Sequence, residues 1–178
     1  MNAIPSRALA ISGPFITTLI AINTIYALCI AVLLVATVVA PWFRPGWPWE
    51  PLGFTIDGAH PRLSMALQSI AFLGLAGAGL VHLVLRGLRA IVDTVRDGDP
   101  FIADNAHRLL VFAWSVLAGE ILRLLIVGIA AVVSTPAQRL HMGDALSFTP
   151  WLAVLLLFVL AGVFAQGARM RADLEGIV

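Results

Sequence analysis

The sequence predicts an all-α integral membrane protein, a four-helix bundle that forms a single domain over residues 1–178. Two observations predict this fold. Hydrophobic residues make up 60% of the chain and charged residues only 12%, whereas soluble domains carry about 25% charged residues. In addition, four apolar stretches are long enough to cross a bilayer, which takes about 20 residues. A chain this short cannot bury so much apolar surface in a soluble core, so the expected surroundings are lipid.

The apolar stretches lie at about residues 15–40, 62–88, 109–133 and 150–168. The first is too long for the apolar part of a signal peptide, so we interpret it as a retained helix. The remaining chain is divided into outer loops 41–61 and 134–149, a hairpin tip 89–108 and a tail 169–178.

Arginine placement predicts which ends face the cytoplasm, because cytoplasmic loops are enriched in basic residues. All 11 basic residues are arginines. If both termini are inside, seven arginines lie near the cytoplasmic ends of the helices: Arg7, Arg86, Arg89, Arg96, Arg108, Arg169 and Arg171. Three arginines lie near the outer ends: Arg44, Arg62 and Arg139. We therefore expect a bacterial inner-membrane protein with both termini cytoplasmic.

The outer loops contain aromatic residues and histidines. Trp42, Trp47 and Trp49 are typical of an interfacial belt, although an aromatic cap over a ligand is the alternative. Residues 53–58 have the pattern of a short strand and turn. His60 and His141 lie on one side of the membrane, but nothing else with metal-ligand spacing accompanies them, so no metal site is predicted.

The second and third helices are predicted to extend as a cytoplasmic hairpin. Gly98 is suited to the position just after the end of the second helix. Asp99 is suited to the N-cap of the third helix, and Pro100 to its first helical position. Arg89 with Asp93, and Asp104 with Arg108, have i,i+4 spacing. The hairpin is interpreted either as a solvated structural extension or as a docking surface for a cytoplasmic partner.

Glu120 and Arg123 lie in the middle of the third stretch. Ionisable residues within a membrane are costly and mark candidate functional sites. The two are three residues apart on one helix face, so pairing with each other is the favoured interpretation. The alternative is a small transporter or ion-coupled carrier that uses this pair, with His82 as a further candidate.

Other motifs add little. No nucleotide, hydrolase or metalloprotease motif appears, so neither an enzyme nor a cofactor is expected. The lone Cys29 is expected to be a small core residue. Gly74 and Ala78 form a small-x-x-x-small pair, which favours packing within one chain, with a homodimer as the alternative.

Two segments carry a family resemblance: residues 98–109, here termed the turn segment, and residues 168–178, the C-terminal segment. They resemble the signatures of an uncharacterised bacterial four-span membrane family, a domain of unknown function. The matching positions are Gly98, Pro100, Phe101, Asn105, Ala106, Arg108 and Leu109, then Arg171, Asp173, Leu174, Glu175 and Gly176. Ala172 departs from the family pattern, where an acidic residue is common.

Members of this family are often encoded beside a small helix-turn-helix regulator of the Cro/CI type. The resemblance therefore implies a membrane-anchored regulatory or partner-binding protein. Direct nucleic-acid binding is not expected, because the net charge is only +1. The resemblance also implies that the two segments meet at the cytoplasmic face, where Arg108 would pair with Asp173 or Glu175. The candidate partner-binding residues are Pro100, Phe101, Asn105, Arg108, Asp173 and Glu175.

Overall fold

The computed structural model describes residues 4–39, 42–44, 47, 61–134 and 147–175. Within these residues the chain forms four α-helices and no strand: α1 Ile4–Val39, α2 Pro61–Arg96, α3 Ala103–Val133 and α4 Thr149–Glu175. All four are long and apolar enough to cross a membrane. The prediction of an all-α protein with four apolar helices is therefore confirmed.

Three helices extend well beyond the apolar stretches from which they were predicted. α1 begins at Ile4, α2 continues to Arg96, and α4 continues to Glu175. Once a helix is nucleated, each added residue gains a backbone hydrogen bond whether or not its side chain is apolar, and α1 continues even through Pro14. The predicted strand and turn at 53–58, and His60, Trp49 and His141, lie outside the described residues.

The chain divides into two compact units, which we describe separately. Unit 1 comprises Met1–Asn23, Leu80–Ala118 and Ser147–Val178, and unit 2 comprises Thr24–Gly79 and Gly119–Leu146. Unit 1 contains parts of all four helices, together with both segments that carry the family resemblance. Its core consists of Leu109, Phe112 and Ala161, against which Val84, Ile91, Leu157 and Phe164 pack.

In unit 1, α2 and α3 lie antiparallel. Gly87 of α2 faces Phe112 of α3, and about two turns further along α2, Thr94 faces Asn105. The residue number rises in one helix as it falls in the other, which is the arrangement of a helical hairpin. A Cβ built on Gly87 would lie 2.5 Å from Phe112 Cε1, so only glycine allows the ring to pack this closely.

In unit 2, α1 and α2 make close contact. The Gln68 side chain donates a hydrogen bond to the Thr37 carbonyl (3.5 Å), and a Cβ on Gly74 would lie 3.6 Å from Ile30 Cδ1. Ala78 is also buried. The small-residue pair Gly74 and Ala78 is thus used within one chain, and a homodimer remains a prediction.

α1 is the helix least covered by protein, since none of its most apolar window is buried. Apolar side chains are exposed along α1 from Phe15 to Val39, as expected for a helix hydrophobic on every side. Cys29 is exposed among them. The prediction that Cys29 is a core residue is therefore wrong, because the apolar character of α1 reflects lipid contact and not a protein core.

Replacing Gly87 by alanine is expected to destabilise the protein by about 1–2 kcal/mol, even though alanine favours a helix by about 1 kcal/mol over glycine. The added methyl group would overlap the buried Phe112 ring. Gly79→Ala is the matched control, because its Cβ would have no atom within 4 Å. Thermal unfolding in detergent measures both; equal melting temperatures for the two variants would contradict the close packing.

Candidate functional site

The connection between α2 and α3 is a tight turn closed by a glycine. Gly98 has φ of +86°, a left-handed conformation that L side chains rarely adopt. The Gly98 N–H donates to the Val95 carbonyl (3.2 Å), and the Asp99 N–H donates to the Thr94 carbonyl (3.0 Å). These two bonds form a Schellman motif, so the prediction for Gly98 is confirmed.

The predicted start of the next helix is wrong. Asp99 is not its N-cap and Pro100 is not its first residue, because α3 begins at Ala103. One cause is visible. The Asp99 carboxylate forms an ion pair with Arg171 of α4 and therefore does not cap the start of α3. Residues 99–102 belong to no helix or strand, and we call them the turn link.

Asn105 holds the turn link in place. Its side chain is fully buried, and its amide nitrogen donates to Thr94 Oγ1 (2.7 Å) and to the Pro100 carbonyl (2.9 Å). Its amide oxygen accepts a bond from Arg108 Nη1 (2.7 Å). One side chain thereby joins the end of α2, the turn link and the first turns of α3.

Arg108 has a different partner from those predicted. It donates to Asn105, and among the described side chains it contacts neither Asp104, its i,i+4 neighbour, nor Asp173. The side chain of Glu175 lies outside the described part of the chain. Arg108 thus supports Asn105, and in the described structure it does not connect the turn segment to the C-terminal segment.

Two other contacts join the turn segment to α4, and one of them involves the C-terminal segment. The Phe101 ring lies 5.2 Å from the Phe164 ring, between centroids, and a Cβ on Gly167 would lie 2.9 Å from Phe101 Cδ1. The second contact is the ion pair between Asp99 and Arg171. An aromatic residue packed on a glycine and a charge pair therefore join the turn link to α4.

A cleft of about 520 Å³ lies where the turn segment meets α4. Its lining is mostly small and apolar, with charged groups as well: Asp99, Phe101, Ile102, Ala103, Ala106, Ala165, Ala168, Arg169, Arg171 and Ala172. Arg169 is exposed and has no ion pair or hydrogen bond within the described residues. We call this site the α4 cleft.

Some residues of this site were not singled out from the sequence. Thr94, Phe164, Gly167 and Arg169 were not proposed as partners of the turn segment. Thr94 precedes the turn by as many residues as Asn105 follows it. This equal spacing is the sequence feature that would have predicted their contact. The contact between Phe101 and Gly167 depends on helix packing, and nothing in the local sequence indicates it.

Glu120 and Arg123 pair with each other, as predicted. Arg123 Nε donates to Glu120 Oε2 (2.9 Å) and Nη2 to Oε1 (2.6 Å), a two-bond arrangement on a nearly buried carboxylate. The other buried polar side chains of the described residues are Thr37, Asn105 and Ser115. Thr37 and Ser115 bond to carbonyls of their own helices, and not to the pair. This geometry favours a structural pair over an ion path.

No group of three or more potential metal ligands among His, Cys, Asp and Glu occurs within the described residues.

A scan against protein-family models finds no match for this chain, and searches of curated proteins and of solved structures find none either.

Replacing Glu120 by leucine is expected to cost about 2–3 kcal/mol, because Arg123 would lose its partner within the apolar helix. The cost is below the 3–5 kcal/mol of a fully buried pair, since about a third of the Arg123 side chain is exposed. The double variant Glu120→Leu/Arg123→Leu should recover most of that stability. Unfolding in detergent or bicelles measures both variants, and a double variant as unstable as the single one would contradict mutual pairing.

Proposed function

We propose that this protein is a bacterial inner-membrane anchor for a small cytoplasmic regulator of the Cro/CI type, and that the α4 cleft is the docking site. The observation that carries the proposal is the cleft itself. The two segments that resemble the membrane family supply most of its lining. If the turn segment and the C-terminal segment form one binding surface, this explains why both carry the family signature although they are distant in the sequence.

The lining indicates the kind of surface that the cleft would hold. Alanines leave space for a bulky apolar side chain of a partner, and Phe101, about half exposed, offers an aromatic contact. Arg169 offers a cation that is not neutralised within the described residues. The expected partner segment therefore combines an apolar anchor with a carboxylate.

Charge also indicates which face of a helix-turn-helix protein would dock. The DNA-binding face of such proteins is basic, and an arginine at the cleft repels it. The proposal therefore places an acidic face of the regulator in the cleft, so that docking and DNA binding use different surfaces of the regulator.

The proposal requires the turn link on the cytoplasmic side, which the arginine distribution supports. Single cysteines placed at exposed Asp97 and Arg44 in a Cys29→Ser background test it in intact cells. A membrane-impermeant maleimide should label position 44 from the outside and position 97 only after the membrane is opened. Labelling of position 97 in intact cells would reverse the proposed orientation.

Binding of the regulator encoded beside this gene to the full chain in nanodiscs tests the docking site. Arg169→Glu and Phe101→Ala should each weaken binding about tenfold or more, which corresponds to about 1.4 kcal/mol. The first variant repels the expected carboxylate, and the second removes the aromatic contact.

The control for this experiment is His107→Ala, which alters an exposed residue of the turn segment that does not line the cleft. It should bind as the unaltered chain does. Ala168→Leu fills the cleft without removing any contact and should also weaken binding. Absence of binding by the unaltered chain, or equal binding by all variants, would contradict the proposal.

A further inference from the structure

A second cleft lies in unit 1 and shares no lining residue with the α4 cleft. It has a volume of about 410 Å³ and is lined by Ile20 of α1 and by His82, Arg86 and Arg89 of α2. The three α2 residues follow one another at spacings of four and three, so they lie on one face of the helix. We call this site the basic cleft.

The basic cleft lacks an acidic partner. Among the described residues, His82, Arg86 and Arg89 have no ion pair or hydrogen bond through their side chains. Asp93 was predicted to pair with Arg89, but its carboxylate lies 3.8 Å from Arg96 instead. That prediction is wrong, and two guanidinium groups one turn apart are left to repel each other. An anion from outside the chain would relieve this repulsion.

The position of the basic cleft along α2 indicates the source of such an anion. Between Arg62 and Arg86 the helix carries no Asp, Glu, Lys or Arg, and 24 residues span about 36 Å. This covers the hydrocarbon core of about 30 Å, so Arg86 and Arg89 lie at the level of the lipid phosphates. His82 and Ile20 lie next to them, at the edge of the acyl region.

The chemistry of the lining also selects among lipids. Arginine binds phosphate through paired hydrogen bonds, and His82 adds one more polar group. Because the described lining contains no carboxylate, nothing there would bind the ammonium group of a zwitterionic headgroup. Ile20 provides an apolar wall for the start of an acyl chain.

We propose that the basic cleft binds the phosphodiester group of an anionic phospholipid, with Arg86 and Arg89 holding the phosphate. The site is independent of the proposed regulator docking. It would fix one lipid against α1 and α2 at the membrane surface, and would make the stability of unit 1 depend on the anionic lipid content of the bilayer.

The proposal is tested by thermal unfolding of the purified full chain in a neutral detergent. Samples with added phosphatidylglycerol are compared with samples with added phosphatidylcholine. Phosphatidylglycerol should raise the melting temperature by about 5 °C near saturation, and phosphatidylcholine should not. Glycerol 1-phosphate at the same concentration separates lipid from free phosphate, and it should give little shift. An equal shift from the soluble phosphate would overturn the assignment to a lipid.

The double variant Arg86→Gln/Arg89→Gln should lose the phosphatidylglycerol shift, while its melting temperature without lipid stays equal or rises because the repulsion is gone. Arg86→Lys/Arg89→Lys keeps the charge without the paired hydrogen bonds and should retain only part of the shift. The control Arg44→Gln/Arg62→Gln removes the same charge from other exposed positions and should keep the full shift. A full shift in the first variant, or an equal loss in the control, would contradict a defined site.

Discussion

The structure of the candidate site depends on one buried side chain. Asn105 donates to Thr94 and to the Pro100 carbonyl and accepts from Arg108, so that its amide is satisfied without water. A buried amide without such partners would be costly. The backbone of the turn link is thereby held in one conformation, and the positions of Phe101 and Asp99 follow from it.

The described residues include ionisable side chains that pair with each other and arginines that are not neutralised. Glu120 and Arg123 bond to each other within one helix, so each charge is offset by the other. Arg169, and separately Arg86 with Arg89, are not neutralised among the described residues. Unneutralised cations beside apolar walls are suited to bind anionic groups. We therefore propose that the functional sites lie at the helix ends, where these arginines are, and not at the intramembrane pair.

Much of the fold could be predicted from the sequence, because helix length and composition follow directly from crossing a membrane. The pairing of Glu120 with Arg123 and the role of Gly98 were equally local, and both predictions are confirmed. One prediction, for Cys29, is wrong because that residue of α1 faces outward. The other wrong predictions concern competition between partners. Asp99 pairs with α4 instead of capping α3, and Arg108 bonds to Asn105 and not to Asp104 or Asp173. Local spacing cannot show which of several possible partners the tertiary structure provides.

The central claim is that the turn link held by Asn105 and the end of α4 form one docking site. A photo-crosslinking amino acid at Ala172, which lines the cleft, tests this most directly in cells that express the proposed regulator. We predict a crosslink to the regulator that is absent when the amino acid is placed at His107, and that is lost on Asn105→Ala while the chain still inserts into the membrane. A crosslink of equal strength from His107, or one unaffected by Asn105→Ala, would contradict the claim.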